Sequence, residues 1–225
     1  MNSQSAGRVL WQINHLTAAL IELGICDDQN SAFYRETTKD QSEVTFAGTW
    51  ALNVALKDWD YDDVHSRLLE ARAYNMKLLD GALIQMMYDF HGETLLRHRL
   101  AFFPSPSLKP FQEEPELYMQ DAMFLEIVAR RIVPFPIRFD FDGREAVYEP
   151  VSHPKSHLTL GQYENCRIPV TAPVSPYWFL DFLLRNFYNT AFSQIADKLP
   201  AEQEAFNETI FPEERRIVHL CVPTE

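Results

Sequence analysis

Apolar residues recur at helical spacing from Arg8 to Leu23. Leu10, Ile13, Leu16, Leu20 and Leu23 fall on one stripe, and Gly24 supplies a stop. Asp27 to Gln41 is mainly polar and predicts a loop. Val44 to Leu56 is strand-like around Gly48. Asp58 to Asp63 is an acidic turn, and a short helix is predicted from Val64 to Tyr74. Met76 to Phe90 is one apolar run, His91-Gly92 a turn, and Thr94 to Phe103 the return strand of a hairpin. Pro104 to Pro110 breaks the pattern. Glu113 to Arg131 reads as a helix, acidic at its start and closed by Arg130-Arg131 as the helix dipole prefers.

Strict alternation returns at Pro134 to Asp142, with a turn at Asp142-Gly143. His157 to Leu160 reads as a strand start after a proline-bearing turn. Ser175-Pro176 is a helix N-cap and first helical position. The helix is expected to run to about Lys198. It is apolar around most of its circumference, so it belongs in the core. Arg216 to Val222 predicts a last strand. Helices and strands interleave without a steady βαβ rhythm. The expected class is therefore α+β, with a mixed or mainly antiparallel sheet against an aromatic-rich C-terminal helix. One domain is expected over 1–225, with 1–70 as a helical and strand-bearing extension and 76–222 as the main body.

Composition narrows the function more than the fold. The formal charge of −12 argues against a uniform grip on nucleic-acid backbone, which leaves a local cationic site as the only route to one. It also favours a basic protein partner. Cys26, Cys166 and Cys221 lie far apart, with no CxxC pair, so neither a disulfide framework nor a thiolate zinc knuckle is expected. A reducing cytoplasm is the expected compartment. No signal-type apolar stretch opens the chain. No window reaches the roughly 18 apolar residues of a membrane span. The nearest approach, 176–192, is interrupted by Asp181, Arg185 and Asn186.

Between Ser152 and Val170 the chain gathers His153, Lys155, His157, Cys166 and Arg167. Two histidines and two cations suit metal-independent phosphodiester chemistry. The histidines move protons, and the cations hold the charge that develops on phosphorus-bound oxygen. In that reading His157 and His153 are the acid and base, Lys155 and Arg167 stabilise charge, and His98 and Arg99 stand opposite. Asp140, Arg185 and Asn186 would support the histidines from behind. No cofactor is expected. A divalent metal stays open, with Asp140 or Asp142 completing a site with the two histidines.

His157-Leu-Thr159 also fits the two-histidine phosphoesterase pattern, but the only strand-like second copy, at His219, carries Cys221 in place of the hydroxyl. Cys166 beside Arg167 could act as a thiolate nucleophile. Asp80-Gly81 could open a metal-nuclease strand, but no E-x-K follows it. Against each stands a plainer reading. The histidines would bond to backbone, Arg167 would bond to the backbone around Gly161 and Pro169, and Arg99 and Arg138 would pair with Asp80, Asp140 or Asp142.

Several segments together resemble a family of bacterial proteins known as a domain of unknown function. They are Asp80 to Gln85, His98 to Pro106, Val133 to Asp140, Pro154 to Gln162, and Cys166 to Pro169 running into Phe182 to Tyr188. The resemblance covers about 70–192. It implies a cytoplasmic bacterial accessory protein of the mobile-element or anti-phage kind and carries no catalytic residues with it. Two functions are therefore expected. One is phosphodiester hydrolysis on a nucleic acid or nucleotide within a defence or toxin-type assembly. The other is a non-catalytic module binding a protein partner in such an assembly.

Overall fold

The computed structural model describes residues 5–48, 59–107, 135–163, 165–200 and 205–223. Helix α1 (Ala6–Glu22) buries Ile13, Leu16 and Leu20 of the expected stripe together with Val9, while Leu10 and Leu23 are only partly buried. It ends where Gly24 turns left-handed (φ 69°) and the Ile25 N–H donates back to the Leu20 carbonyl at 2.9 Å. Strands β1 (Cys26–Gln29), β2 (Phe33–Thr38) and β3 (Gln41–Thr45) follow. The loop expected over Asp27 to Gln41 is thus corrected to strands. All six side chains of β2 are exposed, so no apolar alternation marks it.

Helix α2 (Tyr61–Glu70) starts three residues before the expected Val64, inside the acidic run. Asp62 and Asp63 then sit in its first turn, where the dipole favours them. The apolar run from Met76 is two strands, β4 (Met76–Leu78) and β5 (Leu83–His91), split by a turn at Asp80-Gly81. Strand β6 (Thr94–Phe103) completes the hairpin, and β7 (Ile137–Asp142), β8 (Ser156–Leu160) and β9 (Ile168–Pro169) extend the sheet. The helix expected over 113–131 and most of the strand expected after Gly48 lie outside the described residues.

Every ladder is antiparallel, in the order β1-β4-β5-β6-β7-β8-β9. Strand β4 takes the first part of β5, and β3, carrying β2, takes the last part. Strands β1, β2 and β3, from the expected extension, are therefore part of the one sheet. The class is α+β, as the patterning predicts.

Strand alternation divides the sheet's two faces. Ile84, Met86, Tyr88, Phe90, Leu100, Phe102 and Phe139 point into the main core, beneath α1 and helix α3 (Pro176–Phe187). Helix α3 begins at Ser175, whose Oγ accepts from the Trp178 N–H at 3.3 Å. Its Phe179 and Phe182 rings meet Phe139 edge-on. On the opposite face, α2 covers Leu83, Ala101 and Phe103 at one end only.

The single helix expected to Lys198 is corrected to α3, a break at Tyr188 (φ −134°), and helix α4 (Asn189–Ile195) with a 3₁₀ turn after it. The Tyr188 hydroxyl donates to the Asp80 carboxylate at 2.8 Å. Burial raises the Asp80 carboxyl above its ordinary range, with that bond and the Ala82 N–H pulling the other way. Tyr188→Phe removes one donor and leaves the Asp80 carboxyl with the Ala82 N–H. Denaturant unfolding is expected to show a loss of about 1–3 kcal/mol. The last strand expected at Arg216 to Val222 is corrected as well. A 3₁₀ turn (Glu214–Arg216) precedes a single parallel bridge between Val170 and Leu220.

Candidate functional site

Where α2 stops, the second face of the sheet turns from apolar to charged. The register sets this out in rows. Asp89, Arg97 and Asp142 stand side by side on β5, β6 and β7. One step on are Met87, Arg99, Asp140 and, on β8, His157. Beyond them are Ala101, Arg138 and Thr159. The first two rows and Arg138 floor a groove of about 590 Å³, whose rim adds Arg144, Val147, His153 and Arg167.

Its charges pair unevenly. Asp89 holds Arg97 at 2.5 Å, and Asp142 holds Arg144 through two nitrogens, the shorter contact being 2.5 Å. Asp140 serves two arginines, Arg138 at 2.5 Å and Arg99 at 3.3 Å. Burial raises the Asp140 carboxyl, but Arg138 and then Arg99 outweigh it and hold the group below its ordinary range. Arg167 has no ion-pair or hydrogen-bond partner among the described residues. The middle of the groove thus sets three guanidinium groups against one carboxylate.

The His157 ring is buried, and its Nδ1 donates to the Pro154 carbonyl at 2.9 Å. That bond leaves Nε2 with its lone pair, 4.0 Å from the Asp140 carboxylate. Burial lowers the affinity of this imidazole for a proton. The Pro154 bond and Asp140 offset part of the effect, and His153 and Arg167 add to it. His153 stands beside it, ring centroids 5.3 Å apart, lowered first by burial and then by Arg167. Both rings are neutral at pH 7 in the unliganded groove.

The His153 loop is held from outside the groove. Glu149 and His153 exchange backbone hydrogen bonds of 2.9 and 2.8 Å, which forces Val151 to a left-handed φ of 71°. A β-branched residue there is strained. The fully buried Glu214 carboxylate accepts from the Val151 N–H at 3.2 Å and from the Phe211 N–H at 2.9 Å. Glu214→Ala leaves both donors unsatisfied, at a cost of about 1–3 kcal/mol in unfolding experiments. The same variant frees the loop. An NMR titration is expected to show His153 returning toward its ordinary value, near 6.5.

The predicted site residues divide. His153, His157, Arg167 and Asp140 line one groove. Lys155 turns away, its Nζ 4.2 Å from the centre of the Tyr148 ring and 5.3 Å from that of Phe211. Arg185 and Asn186 lie in the helical layer on the other side of the sheet. There Arg185 pairs with Asp181 at 2.9 Å and Asn186 donates to the Phe182 carbonyl at 2.7 Å. Arg99 is in the groove, whereas His98 enters it from the core side, under the floor. Its Nε2 accepts from the Val174 N–H at 3.0 Å.

The Cys166 thiol accepts from the Leu160 N–H at 3.4 Å and is not part of the groove wall. His219, the would-be second phosphoesterase histidine, bonds to the Ile217 carbonyl away from the groove. Among the described residues no three His, Cys, Asp or Glu groups come close enough to hold a metal ion together. Arg97, Arg144, Asp89 and Glu43 were not singled out in the sequence. The signal that could have found two of them is alternation, which puts Arg97 on the face of Arg99 and Asp89 on the face of Met87.

A family model described as an uncharacterized conserved protein (DUF2290) matches residues 25–222. The chain belongs to the DUF2290 family. The match takes in every strand of the sheet and the whole groove, so the family covers far more than the 70–192 that the resembling segments mark out. Nothing among curated proteins or solved structures matches this DUF2290 chain. No described helix is long and apolar enough to cross a membrane.

Proposed function

We propose that the groove binds a phosphodiester of a nucleic acid or nucleotide and hydrolyses it. The observation that carries this reading is the excess of cations at its centre, where Arg99 and Arg138 share one carboxylate and Arg167 lines the same groove, beside a histidine with a free Nε2. The three guanidinium groups hold the non-bridging oxygens and the charge that grows on them. His157 Nε2 takes a proton from water as the water oxygen bonds to phosphorus. The bond to the leaving oxygen breaks, and that oxygen receives a proton from His153. The products are a phosphomonoester and an alcohol.

A bound phosphate lies between Arg167 and His153 in this scheme. Burial lowers His153 most and Arg167 next; the phosphate offsets the Arg167 part, and its own negative charge favours the protonated ring that donates. Lys155 has no part, since its ammonium is engaged by Tyr148 and Phe211.

The setting proposed for this chemistry is the bacterial cytoplasm, in keeping with three free thiols. Its place in a defence or toxin-type assembly rests on the resemblance of its segments alone. A second reading is a non-catalytic module for a basic protein partner. It draws on the charge of −12: with five arginines drawn into one groove, the remaining surface is the more acidic. The experiment that separates the two is release of p-nitrophenolate from bis(p-nitrophenyl) phosphate by the purified chain and by its His157→Asn variant. Turnover that depends on His157 supports hydrolysis. A wild-type chain without turnover leaves only the module.

A further inference from the structure

The groove does not end at its cationic centre. A second recess of about 260 Å³ opens from it and shares Glu43, Asp89, Arg97 and Arg144 with the first. Its far wall is Thr37, Gln41 and Ser42, which offer neutral hydroxyl and amide groups. Arg97 and Arg99 lie on one face of β6, two residues apart, which separates them by about 6.8 Å along the strand. That is close to the interval between successive phosphates of an extended nucleic-acid strand.

Arg97 and Arg144 suit an internal phosphate. Each spends Nε and Nη2 on its carboxylate partner, which leaves Nη1 to donate elsewhere. Because each is already neutralised, the pair offers hydrogen bonds with little net charge. A singly charged phosphodiester fits there better than a doubly charged terminal phosphate.

Resting on the phosphodiester reading above, we propose that the ligand is a single-stranded nucleic acid rather than a mononucleotide. One phosphate sits at Arg99, Arg138 and Arg167. The next sits between Arg97 and Arg144, and the following sugar and base enter the recess at Thr37 and Gln41. Both recesses are of small-ligand size, and a base-paired duplex is too wide for them. Glu43, Asp89 and Asp142 repel the strand, so binding is modest, and its fall with salt comes from the arginines of the cationic centre.

The test uses a fluorescently labelled short oligonucleotide, as DNA and as RNA, in the His157→Asn background so that the strand survives. A nucleoside 5′-monophosphate serves as competitor. The oligonucleotide is expected to bind about tenfold more tightly than the monophosphate, a difference of about 1.4 kcal/mol. Replacing the whole pair, Arg97→Gln with Asp89→Asn, keeps the net charge. It is expected to weaken oligonucleotide binding about fivefold while leaving the slope of log K against log salt nearly unchanged, because a neutral pair contributes hydrogen bonds and releases no counterion. The monophosphate's affinity should not change, and Arg144→Gln is expected to act in the same direction.

Equal affinity for the two ligands, an oligonucleotide affinity unchanged by the paired replacement, or tighter binding of a duplex would overturn the extended-strand inference while leaving a phosphate site at the centre. Failure of both ligands to bind would overturn the phosphodiester reading as well.

Discussion

Lowering the pH from 6 to 4 is expected to remove about 2–3 kcal/mol of folding stability through His98 alone. This ring is fully buried between the sheet and the start of α3 and packs 5.5 Å from Tyr88 and 5.9 Å from Phe141. Val174 N–H donates to its Nε2, so the proton sits on Nδ1. That N–H lies near the Phe139 carbonyl without a well-formed hydrogen bond. Burial above all drives its pKa down from 6.5 to about 3.

The sign follows from where each state takes up the proton. The unfolded chain binds it near pH 6.5, the folded chain only near pH 3. Stability from the neutral ring is therefore complete above about pH 6.5 and is lost as the pH falls toward 3, by up to about 1.4 kcal/mol per unit. His65 and His157 are lowered too and act in the same direction. Asp28, Asp140 and Asp142 are held below their ordinary range, so their contributions fade only as the pH falls below about 4. The loss between 6 and 4 thus belongs to histidines, while the raised Asp80 carboxyl, which binds its proton more readily in the folded chain, acts in the opposite direction there. Urea unfolding at several pH values reads the slope directly. His98→Gln keeps an acceptor for the Val174 N–H and is expected to flatten it; an unaltered slope would show that His98 is not the group responsible.

The second large effect concerns His157. Replacing it by Asn keeps a side-chain N–H for the Pro154 carbonyl and removes only the basic nitrogen that faces Asp140. General-base catalysis contributes about 10²–10⁴-fold, and the variant is expected to lose rate on that scale. Its melting temperature should stay close to that of the wild type, because the one hydrogen bond the ring makes is preserved. A variant that loses stability as heavily as activity would mark His157 as a packing residue.

Much of the scaffold is legible in the residues. Ile137, Phe139 and Phe141 alternate with Arg138, Asp140 and Asp142, and that alternation gives both β7 and the face that carries the charges. Ser175-Pro176 marks the start of α3. What escaped the sequence depends on partners far along the chain. Tyr188 leaves helical geometry while bonded to Asp80, 108 residues away, and no local signal announces the break. Strand β2 has no buried side chain to set a period, and it is held by its ladder to β3.

The site divides along the same line. His153, His157 and Arg167 are close in sequence and converge in space. Lys155, their neighbour, is drawn off by Tyr148 and Phe211. Arg97 and Arg144 enter only through the register of β6 against β7 and the turn that follows, which no short motif encodes.

The central claim is that the cationic centre of the groove cleaves phosphodiesters. The most direct measurement is the rate of p-nitrophenolate release from bis(p-nitrophenyl) phosphate at pH 7, for wild type and for His157→Asn at matched melting temperature. The expected result is wild-type turnover reduced at least about 10²-fold in the variant. Equal rates in the two proteins, or no turnover by the wild type, would contradict it.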